Sequence, residues 1–144
     1  MAATKSRWQA LPTEAINPAS LNIDKLDAGG IVDLMLAEDR RMLAAVQKER
    51  DRIALGADMC AKALRKGGRI VFVGAGTSGR LGIVESAEMP PTFGTSPKLV
   101  QGIMAGGQNA IIRAKEGAED NYEEGARAIT RLDPTKKDVV IGVS

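Results

Sequence analysis

A glycine-rich segment, residues 74–79 (GAGTSG), follows the apolar run at 69–73 and precedes a stretch with helical spacing. Glycines permit a tight turn and a close backbone approach, and the free amides at a helix start favour an anion. Thr77 and Ser78 add two adjacent hydroxyls that suit a phosphate group. We predict a phosphate-binding loop whose contact residues are Gly76, Thr77, Ser78 and Gly79. The alternative is a structural turn in which Thr77 or Ser78 only caps the helix.

The same six residues also match the pattern G-x-G-x-x-G, which is typical of dinucleotide sites. A dinucleotide fold places an Asp or Glu about 20 residues further on, where it holds the ribose hydroxyls. No acidic residue occurs between Glu88 and Glu116. A nucleotide-binding module therefore remains an alternative that lacks its second requirement.

Glu88 is the first candidate acid. By the three- and four-residue spacing of helices it shares one side with Leu81, Val84 and Glu85, directly before Pro90-Pro91. A carboxyl group beside apolar side chains holds its proton more readily, so it can serve as a general acid. The alternative is a solvated glutamate at a helix end.

The second acidic group is the cluster at residues 116–120 (EGAED), at the start of a predicted helix. Acids in a first turn commonly complement the helix dipole, which is the structural alternative here. Glu119 and Glu88 come from separate elements, and near one phosphate loop they would supply an acid and a base.

Histidine is absent from the 144 residues, which excludes Ser-His-Asp triads, Cys-His dyads and His-ligated zinc. The lone Cys60 cannot form an internal disulfide, and we predict a small buried hydrophobe in a reducing compartment. The net charge of +2 comes from interspersed charges, which does not predict nucleic-acid binding. No leader-like or membrane-spanning stretch is found in the sequence, so we predict a cytoplasmic protein without a membrane partner.

The elements that position these residues form two regions. Residues 1 to about 26 carry two prolines and no clear periodicity, and we expect an arm on the surface of the domain or of a partner subunit. Asp27 is the predicted N-cap of a helical pattern that continues to a stop at Gly67-Gly68. This pattern predicts a helical hairpin or one long bent helix. Residues 1–66 are therefore an N-terminal arm and helical segment.

From residue 67 onward strands and helices alternate. The predicted strands are 69–73, 98–104 and 138–143. The predicted helices run over about 78–88, 108–113 and 120–132. This order predicts an α/β fold with a doubly wound parallel sheet and flanking helices, and a first strand buried on both faces. We expect Pro90-Pro91 to end the first of these helices.

The last predicted strand reaches Ser144, where a parallel strand normally delivers its functional loop. We therefore expect residues 67–144 to be the first part of a domain that is incomplete at its C-terminus. Either a fragment of a longer protein or a naturally truncated product would have this form.

Ordered motifs in this chain closely resemble the N-acetylmuramic acid 6-phosphate etherases. These belong to the sugar isomerase (SIS) domain superfamily, together with the glucokinase regulatory proteins. The motifs are GAGTSGRLG at 74–82, EMPPTFG at 88–94, AGG at 105–107 and EGAED at 116–120. The resemblance implies a SIS-type sheet. It also implies that the chain matches the N-terminal half of an etherase, because the family chain is roughly twice as long.

The resemblance further implies cleavage of the D-lactyl ether of N-acetylmuramic acid 6-phosphate in amino-sugar and peptidoglycan recycling, without a metal or organic cofactor. Glu88 matches the family's general acid, which protonates the departing ether oxygen and later activates water. Glu119 matches the residue assigned to the proton on carbon 2. Ser78, with Thr77 and the adjoining amides, matches the sugar-phosphate loop. The partners implied are a small sugar phosphate and a second copy in a homodimer.

Three positions depart from the family pattern. Met89 stands where many relatives have cysteine, Glu85 replaces an aspartate, and Ile16 occupies a place where relatives often carry arginine. The regulatory branch of the superfamily supplies an alternative function, a non-catalytic sensor that binds a sugar phosphate to control a partner.

Overall fold

The computed structural model describes residues 15–144. The chain divides into two compact units, with the boundary between Asp51 and Arg52. Residues 1–14 of the predicted arm lie outside the described residues. The rest of the arm contains two short 3-10 turns, Pro18–Ser20 and Ile23–Lys25, so local turns replace regular secondary structure there.

Two helices follow, α1 over Ala28–Lys48 and α2 over Arg50–Arg65, with Glu49 between them. Asp27 caps α1 as predicted, because its carboxylate accepts a hydrogen bond from the amide of Gly30 at 2.8 Å. No residue of α1 is buried. The predicted helical segment is therefore present as two helices, and the break falls at a single residue.

The end of α2 shows the predicted glycine stop. Gly67 has φ +74°, and the amide of Gly68 donates to the carbonyl of Ala63 at 3.0 Å. This geometry satisfies carbonyls that the last helical turn leaves open. Cys60 on the same helix is only half-buried, so the prediction of a buried hydrophobe is wrong for this residue.

Three parallel strands form one sheet in the order β2-β1-β3, with β1 at Ile70–Gly74, β2 at Val100–Met104 and β3 at Val139–Val143. Gly74 pairs with both Met104 and Val143, so the carboxyl ends of all three strands lie at one level. The predicted α/β fold with a parallel sheet is confirmed.

Helices α3 (Gly76–Phe93), α4 (Asn109–Ile112) and α5 (Tyr122–Leu132) lie between the strands along the chain. The prediction that Pro90-Pro91 end the first of these is wrong. Proline removes a backbone donor but its fixed φ is helical, so the last turn continues to Gly94, which has φ +64°. None of the helices in residues 15–144 combines the length and apolar character needed to cross a membrane.

Glycines bring α3 unusually close to the sheet. A Cβ at Gly79 would lie 2.6 Å from the sulfur of Met104, and one at Gly82 would lie 2.6 Å from the Cβ of Phe72. On β2, a Cβ at Gly102 would lie 2.9 Å from the carbonyl oxygen of Gly82. Successive turns of α3 therefore match successive levels of the sheet, and the helix runs from the carboxyl ends of the strands towards their starts.

Both faces of β1 are covered less completely than predicted. Val71 is fully buried, whereas Val73 on the same face and Ile70 and Phe72 on the face towards α3 are only half-buried. The prediction that β1 is buried on both faces is therefore wrong for part of its length. Val73 lines a cavity, which leaves that part of the face open. The buried apolar residues of the described chain are Ala63, Val71, Val100, Met104, Ala110 and Ala118.

An ion-pair network joins the starts of β1 and β3. The side chain of Asp138 is only 2% exposed and accepts from the guanidinium of Arg69 at 2.8 Å. It also accepts from the backbone amides of Arg69 at 2.7 Å and of Thr135 at 2.8 Å. The guanidinium of Arg69 holds the pKa of Asp138 well below its usual range, with the amide of Thr135 as the next cause. Arg69 also donates to the carbonyl of Asp133 at 3.1 Å, which ties the end of α5 to the same network.

Candidate functional site

The sheet has a topological switch point, because β2 and β3 lie on opposite sides of β1. In open parallel sheets, ligands bind in the crevice outside the carboxyl ends of the strands at such a point. A cavity of about 710 Å³ lies here, and its lining includes Gly74, Ala105 and Val143 from the three strand ends. This volume is in the range of sites for small organic ligands.

The predicted phosphate loop carries unpaired donors, and Ser78 of this loop lines the cavity. Ala75 is the N-cap of α3 and makes no side-chain capping bond. The first amide in the helix ladder is that of Gly79, which donates to the carbonyl of Ala75 at 3.0 Å. Within residues 15–144 the amides of Gly76, Thr77 and Ser78 have no partner, and neither hydroxyl does. The capping alternative for these hydroxyls is therefore not what the structure shows.

The glycines of the loop have different structural roles. Gly76 is exposed with φ +54°, and a Cβ there would meet no atom within 4 Å. Gly79 is buried, and a Cβ there would collide with the carbonyl oxygen of Gly74. Gly76 therefore keeps the approach to the amides open, whereas Gly79 allows the helix to pack on the sheet and has no free amide.

We expect Gly79→Ala to lose more stability than Gly76→Ala. Alanine at Gly76 must adopt a left-handed conformation, which costs about 1 kcal/mol. Alanine at Gly79 adds a methyl group against backbone atoms, and such overpacking costs about 3 kcal/mol. Urea unfolding of the two variants measures the difference. Equal losses would contradict the division of roles.

Glu119 lies near the phosphate loop. It lines the large cavity together with Ser78, and it lines a second cavity of about 160 Å³ together with Gly76. The carboxylate is exposed. The structure thus brings one predicted acidic residue to the predicted phosphate loop within a single chain.

The acidic cluster precedes α5 instead of forming its first turn. The helix begins at Tyr122, and its N-cap Asn121 accepts from the amide of Glu124 at 2.9 Å. The acids of the first turn are Glu123 and Glu124. The helix therefore begins two residues after the predicted start near Asp120. Glu119 lies two residues before the N-cap, outside the first turn in which acids complement the helix dipole.

Glu88 lies apart from this site. It is an exposed residue of α3 and lines neither of the two cavities. Ten residues of helix separate it from Ser78, which corresponds to about 15 Å along the axis. Leu81 and Val84 are 57% and 54% exposed, so the apolar surroundings predicted for Glu88 are open to solvent in one chain.

Sequence reasoning missed the contribution of α5 to the large cavity. Its lining residues are Tyr122, Gly125, Ala126 and Ile129. Their spacing is that of one helix face, and this periodicity was the available signal. Tyr122 is 85% exposed, so its ring stands at the mouth of the cavity.

The nucleotide alternative lacks its ribose ligand in the structure as well. β2 ends at Met104, and the next residues are Ala105, Gly106 and Gly107. In dinucleotide folds the carboxylate that holds the ribose stands near this position.

Comparison with known proteins agrees with the architecture. The sequence model of one protein family, the glucokinase regulatory protein N-terminal SIS domain, matches residues 52–144. This range coincides with the second compact unit of the chain, which begins at Arg52. The match therefore covers the whole sheet and the cavity at its carboxyl ends.

Several relatives carry the name N-acetylmuramic acid 6-phosphate etherase. The protein of Trichodesmium erythraeum (strain IMS101) is 49% identical over 134 residues, 93% of this chain and 44% of that protein. The protein of Crocosphaera subtropica (strain ATCC 51142 / BH68) is 51% identical with the same coverage. The protein of Clostridium beijerinckii (strain ATCC 51743 / NCIMB 8052) is 46% identical, again over 44% of its length. The resemblance seen in the motifs is confirmed, and the chain spans less than half of these relatives.

Proposed function

The chain belongs to the family of glucokinase regulatory protein N-terminal SIS domains, and from this premise we propose that it binds a sugar phosphate at the carboxyl end of its sheet. We further propose that it supplies catalytic groups for cleavage of the D-lactyl ether of N-acetylmuramic acid 6-phosphate. The relatives named N-acetylmuramic acid 6-phosphate etherase share about half of their aligned residues with this chain.

The observation that carries the proposal is the set of unpaired donors at the start of α3. Three amides and two hydroxyls, from Gly76, Thr77 and Ser78, have no partner in the described chain. They lie at the positive end of an 18-residue helix, where a phosphate group is stabilised by both hydrogen bonds and the helix dipole. Glu119 and Ser78 line one cavity, which supports a role for Glu119 at the sugar of a bound sugar phosphate.

The proposed reaction needs one base and one acid. With the sugar ring open, the carbonyl at carbon 1 acidifies the proton on carbon 2, and Glu119 removes it. The electron pair forms the double bond between carbons 2 and 3 as the bond from carbon 3 to the lactyl oxygen breaks. Glu88 protonates that oxygen, since an unprotonated alkoxide is a poor leaving group. Water then adds at carbon 3, its proton passing to Glu88, and carbon 2 is reprotonated, which gives N-acetylglucosamine 6-phosphate and D-lactate.

We propose that Glu88 reaches this site from a second copy of the chain. The separation of about 15 Å along α3 is too long for Glu88 and Ser78 of one chain to bind neighbouring atoms of one sugar phosphate. Leu81 and Val84 lie on the same side of α3 as Glu88 and are exposed. Their exposure supports a partner that covers this side of α3. A homodimer would complete both sites by the same contact.

Binding tests the first part of the proposal. We expect Ser78→Ala and Thr77→Val each to weaken binding of N-acetylglucosamine 6-phosphate about tenfold, because each removes one hydrogen bond to a charged group. Titration calorimetry measures the affinity. Thr92→Val is the matched control, since Thr92 is an exposed residue at the far end of α3, and its affinity should equal that of the parent. Absence of binding by the parent, or equal affinity in all variants, would contradict the proposal.

A sugar-phosphate sensor is the second candidate function. It is favoured by the name of the matching family and by the distance of Glu88 from the cavity within one chain. A sensor binds the ligand at the same loop without releasing D-lactate. An enzymatic D-lactate assay on a chain that binds the ligand therefore separates the two functions.

A further inference from the structure

Arg80 connects α3, the helix that follows the predicted phosphate loop, to α4. It is half-buried in the second turn of α3. Its Nε donates to the carbonyl of Ile111 at 2.7 Å, and its Nη2 donates to the carbonyl of Ala110 at 2.9 Å. Because α4 has only four residues, these carbonyls have no following helical turn to supply donors. Arg80 therefore replaces the missing turn and holds the end of α4 against α3.

The segment after α4 folds around Gly106. A Cβ at Gly106 would lie 2.9 Å from the Cδ of Lys115, 3.1 Å from the Cβ of Ala110 and 3.3 Å from the Cβ of Ala118. Ala110 is 3% exposed and Ala118 is 8% exposed. Ala118, the buried neighbour of Glu119, and Ala110, whose carbonyl accepts from Arg80, thus both pack against Gly106. We therefore expect a shift of α4 to displace Glu119.

The bonds of Arg80 depend on its shape more than on its charge. Within residues 15–144 the guanidinium has no carboxylate partner, and both of its bonds go to neutral carbonyls of consecutive residues. A planar guanidinium can donate to two neighbouring acceptors at once, whereas an ammonium group lacks this fork. The same side chain lines the small cavity together with Gly76 and Glu119.

We infer that Arg80 is a positioning residue that fixes Glu119 relative to the phosphate loop. The inference rests on the proposed function and adds a residue to it. A phosphate on the amides of α3 holds one end of the substrate, and Arg80 fixes the carboxylate that must meet carbon 2 at the other end. Misplacement of a catalytic group by about 1 Å can cost 10²-fold in rate, so this link acts on turnover more than on binding.

Hydrogen exchange on the 144-residue chain tests the link itself. The amides of Ala110, Ile111 and Arg113 are hydrogen-bonded and report on α4. In Arg80→Lys we expect them to exchange about tenfold faster, while the amides of β1 and β2 exchange as in the parent. Arg113→Lys is the matched control, because the side chain of Arg113 makes no bond within the described chain. Unchanged exchange at α4, or equal acceleration in the strands, would overturn the inference.

Kinetics test the consequence for Glu119. The assay protein is a chimera in which this chain replaces the matching residues of the Trichodesmium erythraeum relative. We expect Arg80→Lys to lower kcat for D-lactate release about 10²-fold and to change KM less than about threefold. A parent chimera without activity would count against the proposed function. An active parent with an unaffected Arg80→Lys variant, or a loss confined to KM, would overturn the role of Arg80 alone.

Discussion

In the same chimera, Glu119→Gln is expected to lower the rate of D-lactate release about 10³-fold, the size typical of a lost general base. Glutamine keeps the shape of the side chain but cannot accept the proton on carbon 2. Binding of N-acetylglucosamine 6-phosphate should remain within about threefold of the parent, because the phosphate donors are untouched. Glu116→Gln, a neighbouring acid on the same loop, serves as the control.

Glu88→Gln should cause a similar loss, and mixing the two variants tests the arrangement across subunits. If Glu88 acts on the partner's site, a mixed dimer of Glu88→Gln and Glu119→Gln contains one site with both glutamates intact. Random association of equal amounts should then restore about a quarter of the parent activity. Glu85→Gln, one turn from Glu88, is the control. Activity of the mixture that stays at the level of the separate variants would show that Glu88 does not act in trans.

The second large expected effect is a loss of folding stability on substitution of Asp138. Asp138→Asn is expected to lower the free energy of unfolding by about 3 kcal/mol at pH 7, since it removes the buried carboxylate that accepts from the half-buried guanidinium of Arg69 and from two backbone amides. Chemical denaturation measures the loss. Asp133→Asn is the matched control, because Asp133 is exposed and has φ +50°, a conformation that asparagine tolerates. Its stability should stay within about 0.5 kcal/mol of the parent.

The pH dependence of this effect has a definite sign. The pKa of Asp138 is lowered in the folded chain from an ordinary value of 3.8, so the unfolded chain takes up a proton first on acidification. The stabilisation is complete above about pH 5 and declines below pH 4, by at most about 1.4 kcal/mol per pH unit. The difference between parent and Asp138→Asn should therefore shrink as the pH falls. A difference that is constant from pH 7 to pH 3 would contradict the assignment.

Local sequence signals predicted the parts of the fold that local interactions determine. Asp27 as a helix cap and Gly67 as a helix stop are both confirmed, because caps depend on a few neighbouring residues. The three strands also occur close to their predicted positions. The extension of α3 to Phe93 was not predicted. Proline is a strong breaker in isolation, but the final turn of a helix has few hydrogen bonds left to lose.

The candidate site was predictable as a set of residues but not as an arrangement. Ser78 and Glu119 line one cavity because β1 and β2 end at one level and the loop after α4 returns to that edge of the sheet. Glu88 follows Ser78 by only ten residues, yet the rise of a helix puts it well away from the site. The link through Arg80 could not be read from the sequence, because its acceptors are backbone carbonyls and carry no residue signature.

The close packing of α3 on the sheet has a consequence for sequence divergence. Gly79, Gly82 and Gly102 are fixed by space, since a methyl group at any of them meets atoms of the fold. A Cβ at Gly76 meets no neighbouring atom, so the fold constrains this position only through its left-handed backbone, at a cost of about 1 kcal/mol for another residue. A descendant that no longer needs its ligand should therefore replace Gly76 more readily than the other three. Replacement of Gly76 alone would therefore identify a branch of the family that keeps the fold but no longer binds the ligand.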